Sequence, residues 1–271
     1  MQSYWIFATA LCVVISANAT QDDELTLTNN QKLLLDKFRS RVENQLLQDY
    51  MKHDIYLVHW LRATKFDLGL TERLLLENLE WRRENNIDDI ETLDWSDFVD
   101  EYPYTTAVKD KEGRPTLVFN LGDWDIRKAA LTGKSSKMIL YWAKLMEELT
   151  AKVRTLHEKN VTQGNLIIDV RDFNIAQHSC PQCIQVYIGL ISLFRSHYPN
   201  EIHEANMVNA PRGFRTMLRV LEPFTGSNLQ GFKVYGTNAQ EWQRALLQDY
   251  DLQELPLEFG GTNRKLVDLA S

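Results

Sequence analysis

The fold is decided by residues 164–214, which have the sequence GNLIIDVRDFNIAQHSCPQCIQVYIGLISLFRSHYPNEIHEANMVNAPRGF. Residues 165–170 are a short β-branched and apolar run, which predicts a strand buried on both faces. Apolar residues then recur every three or four positions, the period of an amphipathic helix that Pro181 would start and Pro199 would end. Residues 207–209 predict a second short strand. A strand, a helix and a strand in this order form a crossover that makes the two strands parallel.

Part of this stretch also resembles a known family. HYPNEIHEANMVNAPRGF, at residues 197–214, is similar to the HYPE…INAP…F core of the CRAL-TRIO domain. LRATKFD at 61–67, LEWRRENN at 79–86, DKEGRPTLVFNLG at 110–122 and LPLEFGGT at 255–262 are similar to further motifs of that family, in the same order. The family includes retinaldehyde-binding, tocopherol-transfer and phosphatidylinositol/phosphatidylcholine-transfer proteins. The resemblance implies a lipid-binding fold.

The amino-terminal third of the chain is predicted to be helical. Apolar residues at helical spacing indicate helices over residues 31–48, 55–63 and 71–84, the last of them capped by Thr71. Little strand signal separates them, so we expect a helical lobe.

The predicted sheet begins after this lobe. We expect its first strand at residues 116–121, a long helix at 137–156, a helix at 213–221 and a further strand at 232–235. The predicted fold class is therefore α/β, with a helical N-terminal lobe and a mostly parallel sheet flanked by helices around a hydrophobic cavity. The predicted organisation is a signal peptide at 1–19, an N-terminal lobe at 20–100, a CRAL-TRIO domain at 101–262 and a tail at 263–271.

The start of the chain has the pattern of a secretory leader. Residues 5–15 are almost wholly apolar and too short to span a bilayer as an ordinary helix. Ala17 and Ala19 form an A-x-A cleavage pattern that would leave Thr20 as the new terminus, and the alternative is a buried first helix. The sequon at Asn160 fits a secreted glycoprotein. We therefore expect an extracellular protein.

Composition and motifs argue against nucleic acid and against catalysis. The formal net charge is −7 and the chain has no block of Lys or Arg, so we expect no nucleic-acid partner. The chain lacks the nucleophile elbow, the zinc-protease motif, the P-loop and the dinucleotide-binding fingerprint. We expect no metal, no cofactor and no enzymatic activity, and we expect a monomer.

Cys180 and Cys183 form a C-x-x-C pair at the start of the central helix. Such a pair can be a local disulfide, two inert buried thiols or a redox-active pair with a lowered thiol pKa. In a secreted chain we favour the disulfide, and the other two interpretations remain open.

The segment 213–221 has an apolar stripe opposite basic residues. The spacing alone is typical of a surface helix, but the resemblance implies that this segment is a mobile gate over a lipid pocket. Arg215 and Arg219 would then face the membrane during a transient contact. The residues expected to line the pocket and its gate are Leu117, Phe119, Leu166, Ile168, Ile188, Ile191, Phe214, Met217, Leu218 and Leu221.

The resemblance also narrows the class of ligand. Family members that transfer phosphatidylinositol hold its inositol phosphate with an Arg, a Glu and a Lys, and the matching positions here are Thr64, Asn200 and Gly231. None of the three carries the cationic group that a phosphate favours. Positions that hold choline lipids in the family match Leu117, Gly164 and Leu166. This comparison implies an uncharged lipophile, such as a tocopherol, a retinoid, a sterol-like or a fatty molecule.

The sequence therefore predicts a secreted protein that binds and transfers a hydrophobic small molecule or lipid in a gated apolar cavity. One alternative is a secreted interaction or effector protein, as in a venom, that keeps the fold without carrying a ligand. The other is a thiol redox enzyme that uses Cys180 and Cys183.

Overall fold

The structure is a computed structural model that describes residues 26–225 and 232–264. Its N-terminal helices are α1 (Asn29–Val42), α2 (Asp54–Ala63) and α3 (Leu68–Glu84), with short 3-10 helices around them. These helices enclose a hydrophobic cluster of their own, which includes Phe38 and Leu57. The predicted helical lobe is thus present.

Within the described residues a sheet of five strands follows the lobe, and its strands are ordered along the sheet as they are along the chain. Strand β1 pairs antiparallel with β2, whereas β2, β3, β4 and β5 pair in parallel. The α/β fold with a mostly parallel sheet is therefore confirmed. The strands are β1 (Tyr104–Lys109), β2 (Pro115–Asn120), β3 (Gly164–Asp169), β4 (Ile202–Val208) and β5 (Phe232–Val234).

Helices cover both faces of the sheet. Leu117 of β2 and its neighbours on one face join a large cluster with most of the helices, while Val118 points to the opposite face and packs in a cluster with Trp242. This separation follows from the alternation of side chains along a strand. The helices of this part are α4 (Ile126–Leu131), α5 (Ser135–Arg154), α6 (Ile175–His178), α7 (Pro181–His197), α8 (Arg212–Thr225) and α9 (Ala239–Asp249).

The central crossover has the predicted form. Every residue of β3 is buried, as expected for a strand covered on both faces. Helix α7 starts with Cys180 as its N-cap and Pro181 in its first turn, and it ends at His197, before Pro199. Strands β3 and β4 lie side by side in parallel, in the arrangement that a crossover requires.

Several predicted elements have different bounds. The first strand of the sheet is not the predicted one at residues 116–121 but the edge strand β1, which pairs with β2. The prediction missed β1 because the strand is short and only some of its side chains are buried. Strand β4 begins at Ile202 rather than at residue 207. The prediction missed its first half because those residues are largely polar and only half-buried, and so form no apolar run. Helix α1 ends at Val42 instead of continuing to residue 48, because a 3-10 helix (Glu43–Gln45) directly follows Val42.

Thr71 is not the cap of its helix. Helix α3 begins at Leu68, and the carboxylate of Asp67 caps it by accepting a hydrogen bond from the main-chain N–H of Leu70. The hydroxyl of Thr71 lies inside the helix and donates to the main-chain oxygen of Asp67. Asp is as good an N-cap as Thr, and sequence alone did not separate the two.

The predicted signal peptide at 1–19, its cleavage product Thr20 and most of the predicted tail at 263–271 lie outside the described residues. The division into a lobe at 20–100 and a domain at 101–262 stays a prediction. Within residues 26–225 and 232–264, no helix has both the length and the apolar character needed to cross a membrane.

Candidate functional site

The predicted lining residues of the sheet lie together on one face. Strands β2 and β3 are in register, so that Leu117 pairs with Leu166 and Phe119 pairs with Ile168. All four side chains are buried in the large hydrophobic cluster. They form the floor of the candidate site.

Helix α8, the expected gate, covers this cluster with its apolar side. Phe214, Met217 and Leu221 are buried in the cluster, and Leu218 packs against it while staying partly exposed. The helix is longer than predicted, since it spans Arg212–Thr225 and contains Pro223.

One side of α7 is apolar and only partly buried. Ile188 and Ile191 pack against the large cluster without being fully covered. They share this side of α7 with Arg195, because residues three to four positions apart lie on one helix face. Arg195 in turn reaches α8, where its Nη1 donates to the main-chain oxygen of Phe224, 2.9 Å away. The partly exposed isoleucines therefore lie on the side of α7 that meets the gate.

The amino-terminal end of α8 rests on aromatic and aliphatic groups. The ring of Phe214 packs edge-on against Phe173, with centroids 5.2 Å apart, and Phe173 stacks on His178 at 4.7 Å. Gly213 lies against Ile175, because a Cβ at Gly213 would be 3.2 Å from Cγ1 of that residue. The α6 segment is thus a platform for the start of the gate.

The outer side of α8 combines cations with exposed apolar groups. Arg215 and Arg219 are exposed, as expected for groups that face away from the cluster. Val220 is 53% exposed and Phe224 43% exposed on the same helix. The exposed surface of α8 thus carries both cationic and large apolar groups, which are the two kinds of group that an interfacial helix presents to a lipid surface.

Cys180 and Cys183 are joined by a disulfide at the start of α7. Sγ of Cys180 also accepts a hydrogen bond from the main-chain N–H of Cys183, so it caps the helix. Cys183 is fully buried. A disulfide offers no thiolate, and thus no nucleophile, in this state.

The carboxyl edge of the sheet holds a compact polar cluster. The buried carboxylate of Asp169 accepts hydrogen bonds from Nε of Arg171 at 2.6 Å and from Nδ2 of Asn209 at 3.0 Å. Burial raises the pKa of Asp123 close by, and the charges of Asp172 and Asp169 add to the effect. The structure shows no set of His, Cys, Asp or Glu side chains suited to hold a metal ion within the described ranges. The cluster ties together the turns that follow β2, β3 and β4.

A polar cavity of about 30 Å³ lies between the lobe and the sheet domain. Arg82 of α3 pairs with Glu147 of α5 through an Nη1–Oε1 contact of 2.7 Å, and Oη of Tyr198 donates to the same carboxylate at 2.9 Å. Nδ1 of His59 lies 3.3 Å from Oε1 of Glu201. Sequence reasoning missed this cavity, because these contacts join residues 65 and 142 positions apart.

Two of the three positions matched to phosphoinositide binding lie in the described residues, where they carry no cation, and Nδ2 of Asn200 is buried without a hydrogen-bond partner. The buried hydroxyl of Thr64 donates to the main-chain oxygens of Trp60 and Leu61 at 3.2 and 3.1 Å. Asn200 has a φ of 59°, a left-handed conformation that Asn tolerates, and its main-chain oxygen accepts from Gln163. Gly231 lies outside the described residues.

Two further positions have local explanations. A Cβ at Gly164 would lie 2.9 Å from Cγ of Leu149, so glycine there lets α5 approach β3 closely. Asn160 is exposed at the turn after a 3-10 helix, with a φ of 60°. An exposed turn is accessible to a glycosylating enzyme.

Comparison with known families matches the CRAL/TRIO domain to residues 100–261. Among sequence relatives, phosphatidylinositol/phosphatidylcholine transfer protein SFH12 of Arabidopsis thaliana is 31% identical over 251 residues, covering 84% of this chain and 43% of the relative. SEC14 cytosolic factor of Kluyveromyces lactis is 27% identical over 253 residues, covering 87% of this chain and 79% of the relative. The chain spans only 38% of another Arabidopsis relative, SFH4. It therefore corresponds to about two fifths of the length of these plant proteins.

A solved structure has the same fold. The crystal structure of Sfh5 superposes with a TM-score of 0.70 at 16% sequence identity, covering 89% of this chain and 90% of that chain. At this identity the likeness concerns the arrangement of helices and strands alone.

Proposed function

This chain belongs to the CRAL/TRIO domain family, and we propose from that premise that it binds a hydrophobic small molecule or lipid beneath α8 and transfers it between membranes. Its named relatives include phosphatidylinositol/phosphatidylcholine transfer proteins. Binding would be reversible, would make no covalent bond and would depend mainly on apolar burial, at about 25 cal/mol per Å² before ordering costs.

The observation that carries the proposal is the partly exposed apolar side of α7 under the amphipathic helix α8. Ile188, Ile191 and Leu218 pack against the cluster without being fully covered. An acyl chain or a ring system that entered between the two helices would bury these side chains. Movement of α8 would open the way in, which is the role proposed for it as a gate.

We further propose that the ligand is uncharged, unlike the phospholipids in the names of the relatives. The hydroxyl of Thr64 already donates to main-chain oxygens, and neither Thr64 nor Asn200 carries a positive charge. A phosphate in a partly dry site needs cationic or well-oriented donors. A tocopherol, a retinoid, a sterol-like or a fatty molecule has no phosphate and therefore needs no cationic donor.

We also propose that the protein acts as a secreted monomer. The A-x-A pattern before Thr20 supports export. The exposed turn at Asn160 supports glycosylation on that route. Arg215, Arg219 and the exposed Phe224 support a transient contact with a membrane during transfer.

A second candidate function is a secreted interaction or effector protein without a carried ligand. The packing of the floor favours it, since Leu117, Phe119 and Leu166 are buried in one contiguous cluster. A core that is filled by its own side chains has no room for a lipid.

One experiment separates the two functions. The protein is purified from its native source, extracted with organic solvent and analysed by mass spectrometry, beside an extract of a secreted protein of similar size purified in the same way. An uncharged lipophile found at near-stoichiometric amount in this protein alone supports the carrier. If the two extracts are identical, the carrier is rejected in favour of the interaction protein.

A further inference from the structure

The two cysteines of the disulfide at the start of α7 differ in their access to solvent. Cys183 is fully buried and belongs to the large hydrophobic cluster. Cys180 is only half-buried, and Pro181 and Gln182, the two residues between the cysteines, are exposed. A thiol from solution would therefore reach the bond at the sulfur of Cys180.

The start of α7 provides a hydrogen bond for this accessible sulfur. Cys180 is the N-cap of the 17-residue helix, and its Sγ accepts from the main-chain N–H of Cys183 at 3.1 Å. The N-terminal end of a helix carries a partial positive charge, and the first turn of α7, which the structure describes in full, has no acidic side chain to offset it. Once the disulfide is opened, the same N–H and the same partial charge would stabilise a thiolate at Cys180.

The surroundings of Cys183 suit a neutral thiol instead. A buried free cysteine behaves as a small apolar side chain, and Cys183 lies among the apolar groups of the cluster. With the bond open, Cys183 would take up a proton and stay in the cluster, while Cys180 would remain the sulfur that solvent reaches. The fold can therefore accommodate both the bonded and the open form of the pair.

The bond itself should contribute little to the stability of the fold. A disulfide stabilises a protein mainly by restricting the unfolded chain, and this effect falls as the closed loop becomes shorter. Here only two residues separate the cysteines. Pro181 in the first turn and the capping sulfur already favour the start of α7. The helix should therefore persist when the bond is open.

We infer that Cys180 is the reactive sulfur of an exchangeable disulfide, and that it forms a mixed disulfide with a small thiol such as glutathione while the chain stays folded. The start of α7 is then a site of reversible covalent modification. This inference goes beyond the proposed function, because the modification requires no bound lipophile.

The exchange proceeds in two steps. The thiolate of the small molecule attacks Sγ of Cys180, the bond to Cys183 breaks, and Cys183 leaves with the electron pair and takes up the proton that the small thiol has released. A second small thiol then attacks its own kind in the mixed disulfide and releases Cys180. In total two small thiols are oxidised to one disulfide, and the cysteine pair gains two electrons and two protons.

A pair of variants tests the difference between the two sulfurs. Cys183→Ala leaves Cys180 as the free thiol and fills the buried position with a small apolar side chain. Cys180→Ser leaves Cys183 as the free thiol and keeps an N-cap for α7. Each full chain is incubated with oxidised glutathione without denaturant. Mass spectrometry of the peptides then locates the adduct and separates the pair from Cys12.

The two variants should react at different rates. Cys180 in Cys183→Ala should acquire glutathione at least about tenfold faster than Cys183 does in Cys180→Ser, because exchange depends on the access and the charge of the thiolate. In urea the two rates should become similar, since unfolding exposes both residues. Circular dichroism before the reaction shows whether each variant is folded.

The wild type tests the exchange without any substitution. The oxidised protein is treated with dithiothreitol in native buffer, alkylated with iodoacetamide and mapped by mass spectrometry, and its thermal unfolding is followed before and after reduction. We expect the bond to open in the folded protein. Iodoacetamide should modify Cys180 and leave Cys183 unmodified until urea is added, and the unfolding midpoint should change little.

Three results would overturn the inference. The first is modification of the two folded variants at equal rates, or of neither. The second is a disulfide that dithiothreitol opens only when urea is present, and the third is unfolding of the chain on reduction, since either would make the bond a structural one. All three leave the lipid carrier untouched, and a chain that carries no lipid could still show the exchange at Cys180.

Discussion

Nη1 of Arg195 donates a hydrogen bond to the main-chain oxygen of Phe224, 2.9 Å away, and so joins the far end of α7 to the last turn of α8. The last carbonyl oxygens of a helix have no partner within it, and a cation at this end also complements the helix dipole. The contact therefore holds the carboxyl end of the gate against the helix beside it.

Removing this contact should loosen the gate. Arg195→Met keeps most of the apolar stem and removes the donor. Because Arg195 is exposed to solvent, this hydrogen bond should contribute about 1 kcal/mol or less, so release of a bound pyrene-labelled lipophile should be faster by about a few-fold. Stopped-flow fluorescence measures the rate, and Arg219→Met on the exposed side of α8 is the control. Unchanged release in Arg195→Met would mean that this contact does not hold the gate closed.

A charge on the apolar stripe of the gate should abolish loading. Leu218→Asp places an unpaired carboxylate against the hydrophobic cluster, at a cost of several kcal/mol in an apolar setting. The added charge should destabilise both the closed gate and its contact with a membrane. Thr216→Asp adds the same charge at an exposed position of the same helix. Probe binding should be lost in Leu218→Asp and kept in Thr216→Asp, and equal loss in both variants would contradict a role for the stripe.

Charge reversal on the outer side of the gate should slow transfer without weakening binding. Arg215→Glu combined with Arg219→Glu replaces two exposed cations that would meet an anionic membrane. Each basic group near such a surface contributes about 1 kcal/mol, and salt screens this attraction. Transfer of a labelled lipophile to anionic vesicles should be slower in the double variant at low salt, and the difference should shrink as salt is added.

The matched control reverses two exposed lysines of the N-terminal lobe, as Lys32→Glu with Lys37→Glu. This variant has the same net charge change on α1 of the lobe instead of on the gate. If it slows transfer as much as the α8 variant does, net charge rather than the gate controls membrane contact.

Acid should destabilise the junction between lobe and domain through His197. Burial and the nearby Arg82 lower the pKa of His197 to about 4, and its ring stacks on Trp81 while Nδ1 lies 3.0 Å from Oδ1 of Asn78. Between pH 6.5 and 4 the unfolded chain binds a proton at this residue and the folded chain does not. Stability is therefore lost as the pH falls through this window.

The loss should amount to about 1–2 kcal/mol after allowance for partial exposure of the ring. Urea unfolding at pH 7.5 and pH 5 measures it. His197→Phe keeps an aromatic ring against Trp81 but cannot titrate, so the difference between the two pH values should be smaller in this variant. An identical pH dependence in the variant and the wild type would exclude His197 as the cause.

Local patterns in the sequence predicted the centre of the fold. The apolar run of β3 and the helical period of α7 reflect which side chains are buried, and apolar residue types along the chain indicate buried positions directly. Strand β1 was missed because it is short and lies at the sheet edge, and because buried and exposed side chains alternate only in its second half. The apolar patterns predicted the buried strands of the floor, whereas the gate was implied only by the family resemblance. The attachment of the end of α8 to α7 is visible only in the contact of Arg195 with a main-chain oxygen.

The polar parts of the molecule could not be predicted in this way. His59 meets Glu201 across 142 positions of the chain, and no local period relates two such residues. Nε2 of His178 and Oη of Tyr187 are buried without a hydrogen-bond partner, which is likewise visible only when every neighbour of each atom is known. Hydrogen bonding depends on position in space, whereas amphipathic patterning depends on position along the chain.

The most direct test of the proposed function is the transfer of two lipids by the wild-type chain. Donor vesicles carry labelled tocopherol or labelled phosphatidylinositol, acceptor vesicles carry neither, and Leu218→Asp is the inactive control. We expect the protein to accelerate tocopherol transfer above the control, whereas phosphatidylinositol should move little faster than it does without protein, because Thr64 and Asn200 provide no cation for its phosphate. Rapid transfer of phosphatidylinositol, abolished by Asn200→Ala, with no transfer of tocopherol would contradict it.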